Sequence, residues 1–399
     1  MKEERRHKKL FGQRRKQPSP FRPLPWYKVL VHRLERLNKK LSVNLVGKLL
    51  GVKPRTIPIP PDQIRSILFI RNDAIGDMVM ATPLWRNIKE RYPSIRVGVA
   101  GSFRNMPVIE SDPDVDVRID LSLDSLAHTV RGLRLARRTK WDLVIGLIYN
   151  KKTKMAVLAR LMAPRASTTM ILYAGDSVEH YAKLFSAVAP APYMRGDIHM
   201  IDVMKFHLLS SIILSVPDDE WRPSLRIDPK VLEKVSQLTS SILKADGTSG
   251  YIHINLEAAM PFRELGIEKN IELAKLLLEK FPSLSVLCTC SPVSAPHMNE
   301  LIIRSNVFRL HLFPTARPQE LFALVRFALL VISPDTSVIH VASAEGKPTV
   351  GIYAHPNEWT PYKVPNRVVV PIFGEPVSAI SPHAICEAVA ELLDADNIH

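Results

Sequence analysis

Two short stretches of this chain bring together residue types that could do chemistry. In the first, Arg71-Asn72-Asp73-Ala74-Ile75-Gly76-Asp77, a glycine that permits close approach directly precedes a carboxylate at the head of a helical pattern. Such a carboxylate can face a ligand held beyond the end of the strand, or it can merely cap the helix, where Asp is a preferred residue. The second, Ser333-Pro334-Asp335-Thr336-Ser337-Val338-Ile339-His340, runs from the end of an apolar segment into a helix that continues to Gly346. Unpaired N–H groups and the helix dipole make such a start an anion site suited to a diphosphate, and small hydroxyl residues leave it room. Asp335 can again be only a cap, and His340 reads equally as a hydrogen-bonded core histidine and as a ligand contact.

The elements that position these turns are legible in the hydrophobic pattern. Ile64 to Ile70 is a continuous apolar run of the kind found in buried parallel strands, and Asp77 to Tyr92 carries helical periodicity. Further strand patterns fall at Ile95 to Ala100, Val115 to Ile119 and Trp141 to Ile148. A second set repeats the alternation of strand-like and helix-like segments through Tyr251 to Leu256, Ile271 to Phe281, Leu284 to Cys290, Glu320 to Arg326, Leu329 to Ser333 and Thr349 to Tyr353. Alternation of this kind predicts α/β domains with doubly wound parallel sheets, in which ligands bind beyond the carboxyl ends of the strands. Residues 1–60 read as a basic extension, 61–224 as an N-terminal Rossmann-like domain and 225–399 as a C-terminal one. The least regular sequence lies between Ser167 and Ala245. Helices are expected from Pro229 to Lys244 and, capped by Ser381, from Pro382 through Leu393.

A formal charge of +15 suggests a nucleic-acid binder until its distribution is counted. Through Arg55 there are 17 Lys/Arg against 3 acidic residues, which leaves 37 against 36 for the rest of the chain. The charge belongs to an appendage, and no zinc-finger or RNP-type motif accompanies it, so no nucleic-acid partner is expected. Within the appendage Leu30, Leu34, Leu37, Leu41, Leu45 and Leu49 recur at helical spacing, with Arg33, Arg36, Lys39 and Lys40 elsewhere around the helix and Trp26 and Tyr27 at its start. Residues 26–50 therefore suit either an anionic membrane surface or a leucine face packed on the protein's own domains. No apolar run approaches the roughly 18 residues of a membrane span, and no secretory leader is evident, which with three unpaired-looking cysteines predicts a cytoplasmic protein. Asp112, Asp114 and Asp116 have the spacing of a metal-holding Asp-x-Asp pair but read as a solvated turn, and no metal is expected.

Taken together the segments resemble glycosyltransferase family 9, the heptosyltransferases of lipopolysaccharide synthesis. The family's strand, Arg, four residues, Gly-Asp and later Thr-Pro is similar to Ile67 to Arg71, Gly76-Asp77 and Thr82-Pro83. Its Asp-Thr-Gly-x-x-His helix start and Gly-x-Pro-Thr strand resemble Asp335 to His340 and Gly346 to Thr349, and His199-Met200-Ile201-Asp202 resembles its interdomain segment. The resemblance implies a GT-B fold, two Rossmann-like domains facing across a cleft. It implies inverting, metal-independent transfer of a heptose or related sugar from a nucleotide-sugar donor to a lipid-linked saccharide acceptor at the inner face of the cytoplasmic membrane. No cofactor is implied beyond the nucleotide-sugar substrate, with ADP-heptose expected. On this resemblance Asp77 is the base, Arg71 and Gly76 belong to the acceptor-side loop, and Arg263, Asp335, Thr336, Ser337 and His340 hold the donor. Two positions depart from the family pattern: Ser337 stands where the family has glycine, and Leu265-Gly266 replaces the Trp-Pro after Arg263. A nucleotide-sugar 2-epimerase of GT-B fold and a non-catalytic sugar-binding relative are the alternatives.

Overall fold

The computed structural model describes Leu41 and residues 43–122, 126–194, 196–315, 317–355 and 357–396. Most of the basic extension, with Leu30, Leu34 and Leu37, lies outside the described residues. The chain forms two compact units, one of Met1–Asp73, Leu84–Met106 and Pro113–Trp221, the other of Ala74–Pro83, Pro107–Asp112 and Arg222–His399. The start of the first helix after Asp73 thus belongs with the C-terminal part of the chain.

In the first unit, strands β1 (Ser66–Ile70), β2 (Arg96–Gly101), β3 (Val117–Asp120), β4 (Leu143–Gly146), β5 (Ser167–Leu172) and β6 (Ala187–Pro190) form one sheet in the order β3-β2-β1-β4-β5-β6. Every pairing is parallel, with Ile67 opposite Val97 on one side and Leu143 on the other. The central place of β1 follows from its composition, since all five of its residues are buried, as a strand covered on both faces requires. Around the sheet run α1 (Ile75–Arg91) from Leu84 onward, α2 (Leu126–Arg137), α3 (Lys152–Met162) and α4 (Met200–Ser211). Pro83 lies inside α1 and has no N–H for the Val79 carbonyl. The Thr82 hydroxyl donates to that carbonyl instead, at 2.8 Å, and accepts the Ser224 amide at 2.9 Å, which gives the Thr-Pro pair a structural reason.

The described part of the leucine-rich helix, 43–50, packs through its Val43 and Gly47 face. Val43 is fully buried, and a Cβ on Gly47 would lie 2.9 Å from the Lys183 carbonyl. Leu41, Leu45 and Leu49 are 67%, 62% and 76% exposed, so these three do not pack on the body.

The second unit repeats the design with β7 (Gly250–Asn255), β8 (Leu284–Cys290), β9 (Leu310–Pro314), β10 (Leu330–Pro334), β11 (Thr349–Ile352) and β12 (Asn366–Val369) in the order β12-β11-β10-β7-β8-β9, all parallel. Its helices are α5 (Pro229–Asp246), α6 (Ile267–Lys280), α7 (Ala295–Ser305), α8 (Pro318–Phe327), α9 (Ser337–Ala344) and α10 (Pro382–Asp396). Helix α5 shows why its bounds were legible. Asp228 caps the Lys230 amide at 2.9 Å, Pro229 opens the helix, and Gly247 ends it in the left-handed region at φ 67°. Cys288, Cys290 and Cys386 are buried free thiols in this unit's core. Two doubly wound sheets of one order make the GT-B pattern. Among the described residues no helix is long and apolar enough to cross a membrane.

Candidate active site

At the carboxyl end of the first sheet, Arg71 follows β1 and is 3% exposed. Its guanidinium donates to the Leu147 carbonyl beyond β4 and pairs with Asp73 at 3.1 Å. Fully buried Asn105 donates to the Arg71 carbonyl at 2.9 Å and accepts the Ser102 amide at 2.8 Å. The expected acceptor-side Arg71 is therefore a buried strut that shapes its loop. Three tyrosines follow three successive strands: Tyr149 after β4, Tyr173 after β5 and Tyr193 after β6. Tyr149 and Tyr173 meet edge to face at 6.3 Å, as do Tyr173 and Tyr193 at 6.4 Å. Lys152 pairs with Asp176 at 2.8 Å and lies over the Tyr173 ring. Burial pushes the Tyr149 phenol far above its usual range, with the Arg71 charge opposing.

Beneath Tyr149 a hydrogen-bonded chain fixes a histidine tautomer. Ser211 Oγ donates to the His207 carbonyl at 2.7 Å, so Thr169 Oγ1 donates to Ser211 and accepts from His207 Nε2 at 3.2 Å. His207 Nδ1 is then the acceptor for the Tyr149 hydroxyl at 3.2 Å. Burial pushes the imidazole down to about 4, which keeps it neutral.

The second unit gathers the remaining expected residues. Asp77 is the third residue of α1, and its Oδ2 accepts the Ala74 amide at 3.2 Å. The capping role weighed for this residue is thus realised from inside the helix, leaving a half-buried carboxylate at its first turn. Gly76 beside it lies against α9. A Cβ there would overlap the His340 ring and sit 3.2 Å from the Ser337 Cα. His340 is 5% exposed and stands edge-on to Trp359 at 5.5 Å.

Helix α9 is capped by Thr336, whose hydroxyl accepts the Val338 amide at 3.2 Å, and not by Asp335. Asp335 instead accepts from Arg263 Nη1 at 3.1 Å and from Asn357 at 3.2 Å. Burial raises its pKa and outweighs the lowering by Arg263 and Asn357. Ser337 opens the helix with an ordinary φ; among the described residues the non-glycines in the left-handed region are Asn306, Arg309 and Lys363. The serine-for-glycine change carries no backbone strain. Asn255, at the end of β7, donates to Thr336 Oγ1 at 3.2 Å and to the Glu257 carbonyl at 2.8 Å, holding the helix start to the neighbouring strand. Asn255, Asn357 and Trp359 were not singled out in the sequence, although a lone amide ending the apolar run Tyr251 to Leu256 is a readable signal. Asp116, from the expected solvated turn, pairs with Lys89 at 2.8 Å and accepts the Val97 amide at 2.7 Å.

The sequence model of glycosyltransferase family 9 (heptosyltransferase) matches residues 133–376, more than half of the chain. The chain belongs to glycosyltransferase family 9. The matched stretch contains Arg263 and Asp335 to His340, whereas Arg71, Gly76 and Asp77 precede it. A curated relative of the family 9 chain is lipopolysaccharide heptosyltransferase 3 of Escherichia coli K12, 21% identical over 302 residues, 72% of this chain and 82% of the relative. Two solved structures show the same fold. The glycosyl transferase family 9 protein of Veillonella parvula has a TM-score of 0.70 at 19% identity, covering 85% of this chain and 99% of that one. The E. coli ADP-heptose lipopolysaccharide heptosyltransferase II has a TM-score of 0.65 at 19% identity, covering 83% and 99%.

Proposed function

We propose that this glycosyltransferase moves a heptose or related sugar from a nucleotide-diphosphate donor to a hydroxyl of a lipid-linked saccharide such as lipopolysaccharide core, with inversion and without a metal ion. The observation that carries the reading is the meeting, inside the second unit, of the Gly76-Asp77 helix start with the Ser337 to His340 helix start. Asp77 accepts the proton of the acceptor hydroxyl as its oxygen forms a bond to the anomeric carbon. The bond from that carbon to the diphosphate oxygen breaks with its electron pair. First-turn amides of α9, which have no preceding helical carbonyl, and the Arg263 guanidinium take up the developing charge. These fixed donors support a mechanism in which the leaving group is neutralised by the protein alone. The names of the relatives, an ADP-heptose enzyme among them, support the donor class. The tyrosine-lined end of the first sheet supports a sugar acceptor, since ring faces suit the apolar faces of saccharides.

Work on a lipid-linked acceptor suits a protein on the inner face of the cytoplasmic membrane. The exposed leucines of 41–49 within a basic stretch support that placement. The test is transfer from ADP-heptose to core acceptor, with EDTA present, by the wild type and Asp77→Asn. Asp77→Asn keeps donor affinity in calorimetric titration and lowers turnover by on the order of a hundredfold or more. Unchanged turnover removes Asp77 from the mechanism, and activity abolished by EDTA removes the metal-free reading. Interconversion of the sugar without acceptor would mark a 2-epimerase, and donor binding without turnover a non-catalytic relative.

A further inference from the structure

The carboxyl end of the first sheet belongs to the reaction; its opposite end holds a cavity of about 660 Å³ that the reaction does not use. It opens where β1, β4 and β5 begin, between residues Ile64, Trp141 and Ser167. Arg55, Arg137, Lys140 and Arg165 line it, and among the described residues none of these four forms an ion pair. The one carboxylate on the wall, Asp142, is already engaged: its Oδ2 accepts the Arg65 amide at 2.8 Å and the Ser66 amide at 3.0 Å. Two helices, α2 and α3, end at this rim, and each helix end carries about half a negative charge. With Asp142 they offset about two of the four positive charges, so the cavity keeps a net charge of about +2. The floor is apolar, with Trp141 4% exposed and its indole N–H bonded to the Ala136 carbonyl at 2.8 Å.

We propose that this cavity binds a phosphate group, carried either by a membrane lipid headgroup or by a free phosphate. Its size is that of a small-ligand site, and two uncompensated cations over an apolar floor suit a phosphomonoester better than a neutral ligand. The chain itself points to the headgroup. Arg55, whose amide donates to the Ser186 carbonyl at 2.7 Å, stands only a few residues after the exposed Leu45 and Leu49 of the basic, leucine-striped helix. A surface that received those leucines would present its phosphates to the same part of the first unit. The proposal goes beyond the transferase reading and stands without it.

The experiment uses the full chain in three forms: wild type, the triple variant Arg55→Gln/Lys140→Gln/Arg165→Gln, and a control triple Lys230→Gln/Lys275→Gln/Arg304→Gln with the same charge change in the second unit. Each is floated with phosphatidylcholine vesicles containing phosphatidic acid or, at matched surface charge, phosphatidylglycerol, and each is titrated with inorganic phosphate by calorimetry. The wild type and control partition onto the phosphatidic acid vesicles in preference to phosphatidylglycerol. The cavity variant loses that preference, with partitioning lowered by on the order of a hundredfold. Loss confined to vesicles assigns the headgroup, loss confined to inorganic phosphate assigns the free anion, and loss of both assigns one site serving both. Equal behaviour of the cavity variant and the control on every probe overturns the proposal. ADP affinity by calorimetry and melting temperature of the cavity variant, both unchanged, show that the fold is intact.

Discussion

The two sheets share one strand order, yet their carboxyl ends are finished in opposite ways. The first is closed inward: Arg71 is spent on Leu147 and Asp73, Asn105 braces the loop, and Tyr149, the first of the three tyrosines, bonds a neutral His207. The second ends in a helix start capped by the Thr336 hydroxyl, where Arg263 reaches in from a neighbouring turn to Asp335. The same topology therefore yields a cluster of aromatic rings in one unit and a hydroxyl-capped helix start in the other. Strand order decides where a ligand goes, and the residues just beyond the strands decide its charge.

The largest expected effect tests how far each unit depends on a buried neutral histidine. His207 in the first unit is pushed down to about 4 by burial, and His253 in the second to about 3. His253 bonds Thr289 through Nε2 at 2.9 Å, and its Nδ1 has no hydrogen-bond partner among the described residues. Both folded values lie below the unfolded value near 6.5, so between that pH and about 4 the unfolded chain binds protons that the folded chain does not. Stability is fully present above pH 6.5 and falls as the pH drops through this window. Between pH 7 and 5 the loss is roughly 2 kcal/mol for each histidine. Urea unfolding at pH 7, 6 and 5 should show it, and His207→Gln should flatten the dependence by about one proton in the first unit alone. A midpoint that does not move with pH in the wild type would show that neither unit depends on holding its buried histidine neutral.

An intermediate effect concerns the point where α1 meets α9. Gly76→Ala places a methyl against the His340 ring and should destabilise the second unit by about 1–3 kcal/mol while lowering turnover. Adding His340→Ala removes the obstruction, so the double variant should recover stability relative to the sum of the single changes. Strict additivity in that cycle would show that the two helix starts do not press on each other in solution.

Much of this arrangement could be read from the sequence, and the misses share a cause. The central strands were found because burial on both faces leaves continuous apolar runs, as in Ser66–Ile70 and Leu284–Cys290. Strands β5 and β6 were lost in the stretch that looked least regular: β5 opens on Ser-Thr-Thr, and β6 is a half-buried edge. The edge strands β9 and β12 carry His311 and Asn366 where periodicity would want apolar residues. The helix-start positions of Asp77, Thr336 and Ser337 were legible because each short motif lies within one turn of a helix start. The tyrosines were not, because they are separated by tens of residues and meet only through strand order.

The smallest expected effect is the most discriminating for the start of α9. Ser337 departs from the family glycine, and a side chain there would carry strain only on a left-handed backbone. Ser337 is instead the first residue of α9 with an ordinary φ. Glycine at this position then has no conformational role to restore. Ser337→Gly should cost no more than about 0.5–1 kcal/mol of stability through a looser helix start. ADP affinity by calorimetry should stay within about twofold, a change of less than half a kcal/mol. A tenfold tighter ADP complex in Ser337→Gly would mean that the hydroxymethyl group obstructs the diphosphate. The serine would then be a deliberate narrowing of the anion site, and the donor would differ in its phosphate end from those of the glycine-bearing relatives.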